Sequence, residues 1–273
     1  MTNTQELSAR YDEVAPTYEA SKATTDAQRL YWLVYEHLTW KPVEALLPPV
    51  GTPFRILDAG GGSGKYGVKM AARGHQVTVL DLSTKMLENA RAKFAAAGIA
   101  EGSFVVGNIV DLAFPDESFD LVFCEGDPVS YCVDDYPRAI AELVRVARRG
   151  APIVLGVDNR HDRFVGEIYF GDPKNALEIL LTGRAKCPYG MPVHAFTLPE
   201  LEAAVRDAGG RVDEIFGKPV LFYELVAALQ AARGADLDLM GARDEIFALQ
   251  ERMVREGYTV TGGHFQVMAR RLP

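Results

Sequence analysis

Residues 56 to 64 read Ile-Leu-Asp-Ala-Gly-Gly-Gly-Ser-Gly: an apolar strand that ends in an acid and runs straight into a glycine turn. Asp58, Gly60, Gly62 and Gly64 occupy alternate positions of an acid-x-Gly-x-Gly-x-Gly pattern. A turn of this kind bends sharply and lets its backbone come close to a ligand, because no Cβ stands in the way. From Phe54 onward strands and helices alternate, with strands expected at 76 to 80, 103 to 107, 119 to 124 and 151 to 157. That alternation predicts an α/β chain with a doubly wound, parallel sheet. Ligands of such sheets bind at the carboxyl ends of the strands near the topological switch point, where Asp58, Asp81, Asn108 and Glu125 all fall.

The helix after Asp81 is expected to start near Ser83, to bury Met86, Leu87, Ala90 and Phe94, and to stop at Gly98. A helix over 134 to 149 carries the stripe Ile140, Leu143, Val144 and Ala147, and the Arg145, Arg148 and Arg149 group at its end suits the helix dipole. Thr197-Leu-Pro-Glu200 is a capping box for a helix to Ala208, ended by Gly209. Ahead of the sheet, Leu7, Tyr11, Val14 and Tyr18 share one helical face, and a second helical run through Leu30, Leu33, Val34, His37 and Leu38 is expected to be limited by Pro42. Residues 158 to 196 break the alternation with Gly166, Gly171, Pro173, Gly183, Pro188, Gly190 and Pro192, and read as an insertion over the ligand edge of the sheet.

Three nucleotide readings compete for the glycine turn. Gly62-Ser-Gly64-Lys-Tyr-Gly67 matches the dinucleotide fingerprint, but counted from Gly60, the first glycine after the strand, the third glycine would fall on Lys65. A P-loop fails because Ala59 stands at its first glycine and Tyr66 at its magnesium-holding hydroxyl. Asp58 discriminates further: a carboxylate at the turn repels a pyrophosphate and suits a cationic ligand without phosphate, such as S-adenosylmethionine, by roughly 1.5 to 3 kcal/mol. The alternative is that Asp58 caps the following helix. Asp81 follows Gly60 by 21 residues, the spacing at which an acid accepts from ribose hydroxyls in either cofactor.

Together, Asp58 to Gly64, Asp81, Gly107 to Asp116 and Ser118 to Cys124 resemble the class I S-adenosylmethionine-dependent methyltransferases, and among them the ubiquinone and menaquinone C-methyltransferase-like small-molecule group. The resemblance covers about residues 11 to 157 and implies a Rossmann-like seven-stranded sheet, completed by strands Arg211 to Phe216 and His264 to Arg270, the last one antiparallel. It implies a single domain: a helical lid over residues 1 to 48, a cofactor-binding core over 49 to 157, a substrate-side insertion over 158 to 196, and completion of the sheet over 197 to 273. It also implies that Gly60 and Gly62 approach the methionine portion, that Asp58 meets its ammonium and Asp81 the ribose, and that Leu82, Met86, Asn108 and Ile109 surround the adenine. Asn108 stands where the family usually has Asp; its carbonyl still accepts from an exocyclic amine. Tyr18 would cover the cofactor from the lid, or serve with Tyr11 as an aromatic anchor.

Methyl transfer from a sulfonium needs alignment, water exclusion and loss of a proton rather than a fixed motif. Candidate acceptor-side groups are Glu125, Asp127, Tyr131, Asp158, His161 and His194, of which Asp127, His194 and Glu125 are carried as catalytic; Asp127-Pro128 also reads as turn chemistry and His194 as a structural residue before a capped helix. The net charge of −8 and pI near 5.2 argue against nucleic acid and for a small-molecule acceptor. Cys124, Cys132 and Cys187 form no metal or disulfide pattern, so no metal is expected and a cytoplasmic setting fits. No signal peptide or membrane span is read, since the apolar stretch from Val220 to Ala232 is broken by Glu224 and Gln230; a homodimer is compatible with all of this. The competing functions are a nicotinamide-dependent oxidoreductase and an S-adenosylmethionine-binding protein without methyl transfer.

Overall fold

In the computed structural model, residues 3–19, 24–49, 51–100, 102–187 and 189–273 are described; Met1, Thr2 and residues 20 to 23 of the expected lid and Pro188 of the expected insertion lie outside them. Two helices, α1 (Asn3–Val14) and α2 (Asp26–Leu46), precede β1 (Arg55–Ala59), α3 (Lys65–Ala71), β2 (Gln76–Asp81), α4 (Thr84–Ala96), β3 (Ser103–Val106), β4 (Leu121–Cys124), α5 (Tyr136–Val146) and β5 (Pro152–Asp158). There follow α6 (Arg160–Phe170), α7 (Pro173–Thr182), a small hairpin of β6 (Arg184–Lys186) and β7 (Pro192–His194), α8 (Leu198–Asp207), β8 (Gly210–Val220), α9 (Phe222–Arg233), α10 (Arg243–Arg255) and β9 (Gly262–Arg271). The seven-stranded sheet has the order β3-β2-β1-β4-β5-β9-β8. β9 runs antiparallel to both β5 and β8, and the strands from β3 to β5 are parallel.

Strand alternation sorts the core into two layers. Leu57, Ala59, Val122, Cys124, Ile153 and Leu155 face α5 and α8 through Ile140, Leu143, Leu201 and Val205. Their neighbours Ile56, Val77, Val79, Leu121, Phe123 and Val154 face α2, α3 and α4 through Val43, Met70, Leu87, Ala90 and Phe94. A third cluster joins α2 to α9 and α10 through Leu30, Val34, Leu38, Phe222, Val226 and Ile246, so the apolar run after Val220 is a packed helix between β8 and β9.

The local signals hold where they were strongest. Ser83 caps α4, its Oγ accepting from the Met86 amide at 3.0 Å, and Thr197 with Glu200 forms the expected capping box. Two expectations are corrected and one is extended. Pro42 does not end α2 but lies inside it, because Val43, Leu46 and Leu47 beyond it pack on the core and outweigh the ~3 kcal/mol cost of an interior proline. Residues 160 to 182 do more than break the alternation, since they form two helices: Asp172 is an N-cap with Pro173 at the first turn, and Gly171 and Gly183 end α6 and α7. Arg145, Arg148 and Arg149 pair with Glu142 and Asp116, with Asp120 and with Glu117, while the terminal carbonyls of Arg145 and Ala147 accept from Arg271 at 2.6 and 2.8 Å.

Candidate functional site

The carboxyl ends of β1, β2 and β4 converge on the glycine turn. Gly62 donates its amide to Asp81 Oδ2 at 2.9 Å, and Ser83 donates to Asp81 Oδ1 at 2.9 Å, so Asp81 fixes the turn against the start of α4. Each oxygen keeps a second lone pair for a ligand hydroxyl. A Cβ at Gly62 would meet only Met86 Cε, at 3.9 Å, so this glycine faces open space with a φ of +53°. Bare backbone at Gly62, the Asp81 carboxylate bonded to it and the Met86 side chain nearest it are the kinds of group that can hold a nucleoside.

Gly60, expected to approach the ligand, is covered instead: a Cβ there would lie 2.4 Å from Pro128 Cγ, and φ is +68°. Its missing side chain serves the packing of the turn against the loop after β4. Gly61 and Gly67 likewise make room for Asp58, whose carboxyl atoms would lie 2.7 and 2.8 Å from an added Cβ at the two positions. Asp58 therefore sits behind the turn, 2% exposed, with Oδ2 unbonded. It neither caps α3, whose N-cap is Gly64, nor presents itself at the mouth as a contact for an ammonium group. Burial pushes its carboxyl up to about 7, with Asp81 and Glu125 adding to the rise and the Gly67 amide opposing it.

The N-terminal segment is tied across this opening. Ser8 donates to the Leu82 carbonyl at 3.0 Å, Asp12 accepts from Ser83 Oγ at 2.6 Å and from the Lys85 amide at 3.1 Å, and Asn89 donates to the Ala15 carbonyl at 2.9 Å. Burial, followed by the carboxylates of Asp127 and Asp81, raises the Tyr18 phenol above its ordinary range, which puts Tyr18 near both acids. Tyr11 contacts Tyr18, Tyr131 and Tyr189 edge to face at 6.1, 5.8 and 6.4 Å. Asn108 accepts from the Val110 amide at 3.1 Å, and Ile109 is buried in the α5 layer.

The structure sets the acceptor-side candidates in different places. Asp127 adopts a positive φ of 69°, a strained conformation that Asp tolerates better than most residues. Its Oδ1 lies 3.0 Å from Nδ1 of His264 on β9. Asp158 stands beside them and accepts from Arg163 Nε at 2.9 Å; donor atoms of Asp127, Asp158 and His264 lie within 4.8 Å of one another. That spacing would suit a cation, but Arg163 and His264 already supply the positive charge. Burial works against ionising Asp127, yet His264 outweighs it and holds the carboxyl below its usual range; burial likewise opposes the imidazolium, and Asp127 and Asp158 outweigh it and raise His264. His264, unremarked in sequence beyond opening the last strand, is the residue that reasoning missed, and its one local signal is the Gly262-Gly263 pair before it.

Glu125 is corrected: its side chain is fully buried, Oε1 accepts from Lys218 Nζ at 2.8 Å and from the Tyr35 hydroxyl, and a Cβ on Gly156 would lie 2.5 Å from either oxygen. It faces the interior of the sheet and α2. His194 is corrected too. It bonds Glu200 of the capping box at 2.7 Å and stacks on Tyr136 at 4.7 Å, which anchors β7 to α5 and α8. His161 is exposed in the first turn of α6.

The Asp127–His264 pair carries a pH signature. His264 is raised in the folded chain, so the stability it contributes is fully present below about pH 6.5 and fades as pH rises through its folded value. The groups facing it are Asp127, Asp158, Arg163 and Asp162, with Tyr35 edge-on at 5.3 Å and Lys218 opposite in register. Thermal melting is expected to show the wild type declining above neutral pH and the His264→Gln variant without that decline.

A family model described as methyltransferase domain matches residues 56–150. Over 165 residues the chain is 34% identical to the ubiquinone/menaquinone biosynthesis C-methyltransferase UbiE of Rhodopseudomonas palustris, covering 51% of this chain and 63% of that protein. Over 166 residues it is 29% identical to the tRNA 5-carboxymethoxyuridine methyltransferase of Escherichia coli, covering 59% and 61%. The chain thus spans less than two thirds of these relatives. The CcbJ methyltransferase of Streptomyces caelestis shares the fold, with a TM-score of 0.61, 16% identity and coverage of 97% and 98%. Residues 56–150, with the glycine turn they contain, thus match a methyltransferase domain, and along that domain the chain is similar to S-adenosylmethionine-dependent methyltransferases.

Proposed function

We propose that this chain transfers a methyl group from S-adenosylmethionine to a small-molecule acceptor held between the N-terminal tyrosines and the Asp127–His264 pair. The observation that carries the reading is the Gly62 opening, rimmed by Asp81 and roofed by the α1 segment bonded to Leu82 and Ser83. Residues 1 to 48 then act as a lid and 158 to 196 as the acceptor-side insertion. The net charge of −8 supports a small acceptor over RNA, since phosphate binding draws on clustered cations. No described helix is long and apolar enough to cross a membrane.

The cofactor, when bound, supplies a methyl carbon already activated by its sulfonium. Asp81 would accept from the ribose hydroxyls; Leu82, Met86 and Ile109 would wall the adenine, and Asn108 would address its edge. Asp58, behind the turn with its carboxyl raised to about 7, makes no direct contact and contributes negative potential toward a cationic ligand in its ionised fraction. Tyr11, Tyr18 and Tyr131 exclude water from the acceptor side. With Nδ1 engaged by Asp127, His264 keeps Nε2 to exchange the proton that the acceptor loses, and Asp127 holds the ring.

Asp81→Ala is expected to weaken S-adenosylmethionine binding by about 1.5 to 3 kcal/mol, roughly ten- to a hundredfold, in calorimetric titration. Affinity equal to the wild type would remove Asp81 from the cofactor site. A product heavier by one methyl group separates methyl transfer from mere cofactor binding, and a chain that takes only a nicotinamide dinucleotide would defeat both.

A further inference from the structure

Helices α6 and α7 form an outlying pair that packs mainly on itself, and no described residue of α6 is buried. α7 buries Ala176 and Ile179 on one face and leaves Leu177, Leu180 and Leu181 on the other; beside them Ile168, Tyr169 and Phe170 end α6. These six apolar residues are between 46% and 94% exposed. With roughly 200 Å² for a fully exposed side chain of this size, they present on the order of 800 Å². That exceeds the ~300–600 Å² apolar patch of an ordinary monomer and equals one side of a standard protein interface.

We propose that this face is a self-association surface, on which a second copy of the chain docks its own α6 and α7 across a two-fold axis. Three observations select a second copy over other occupants. The area matches what one partner of a stable dimer contributes. The exposed charges among the apolar residues carry both signs, Asp172 and Glu178 with Lys174, which a two-fold pairing can match against each other. The chain's net charge of −8 opposes adsorption to an anionic lipid surface. The surface is joined to the chemistry through α6 itself, since Arg163 of that helix holds Asp158 beside His264.

Sedimentation equilibrium of the full chain at micromolar concentration tests the proposal. The wild type is expected at twice its 29.9 kDa mass, and the Phe170→Asp/Leu181→Asp double variant at the monomer mass with unchanged circular dichroism. Leu272→Asp, an exposed apolar site just past β9, beside the start of β5 and at the opposite end of that strand from α6, is the control and should stay dimeric. Should the double variant misfold, Leu177→Lys alone is expected to weaken dimerisation at least tenfold. A monomeric wild type, a dimer indifferent to these substitutions, or a monomer that instead floats with phosphatidylcholine or phosphatidylglycerol vesicles would each overturn the assignment. S-adenosylmethionine binding, measured on the same samples, reports separately on the functional reading.

Discussion

Replacing Lys218 with methionine is expected to destabilise the fold by about 3 to 5 kcal/mol, the cost of stranding a buried charge once its partner is removed. Lys218 is fully buried; besides Glu125 it donates to Thr39 Oγ1 at 2.6 Å and to Gln266, and it lies 4.6 Å from the centre of the Tyr35 ring. Burial lowers its pKa while Glu125 works to raise it, as expected of an ammonium group that remains charged only through its partner. Chemical denaturation should show the loss, and adding Glu125→Gln to the Lys218→Met chain should recover most of it, since the orphaned charge is then gone. If the single variant were as stable as the wild type, the network would not be the joint between α2, β4, β8 and β9 that the geometry indicates.

What was legible before the structure was local. The turn at 58 to 64, the acid at 81, the cap at Ser83 and the box at Thr197 each lie within a few residues of what they organise, so their chemistry shows in short windows of sequence. The misreadings came from distance and orientation. Asp127 and His264 are 137 residues apart and Glu125 and Lys218 are 93 apart, and only the placement of β8 and β9 against β5 brings them together. Asp58 ends its strand where expected, but its side chain falls behind the turn, and three of the turn's glycines, with Gly67 of α3, serve packing: Gly60 for Pro128, Gly61 and Gly67 for Asp58, and Gly64 for Ala90. Gly171, Pro173 and Gly183, which read as breaks in the alternation, punctuate two helices of the insertion.

His264→Gln is expected to lower the rate of methyl transfer by about 10² to 10⁴, the usual contribution of a positioned base, while leaving cofactor affinity unchanged. Asp127→Asn should lose less rate if its role is to hold the ring, and should shift the pH profile by removing the carboxylate that raises His264. Transfer of an isotopically labelled methyl group into the small-molecule fraction provides the readout. The neutral imidazole is the proton acceptor, so the wild-type rate should climb as pH rises through the folded value of His264. A flat profile, or a His264→Gln chain as fast as the wild type, would assign the pair to structure alone.

The most direct test is calorimetric titration of the full chain with S-adenosylmethionine and, separately, with a nicotinamide dinucleotide. Saturable binding of the sulfonium ligand, weakened by Asp81→Ala, with no heat from the dinucleotide, is the expected result. A chain that ignores S-adenosylmethionine, or that takes up the dinucleotide in its place, would contradict the assignment of the Gly62 opening.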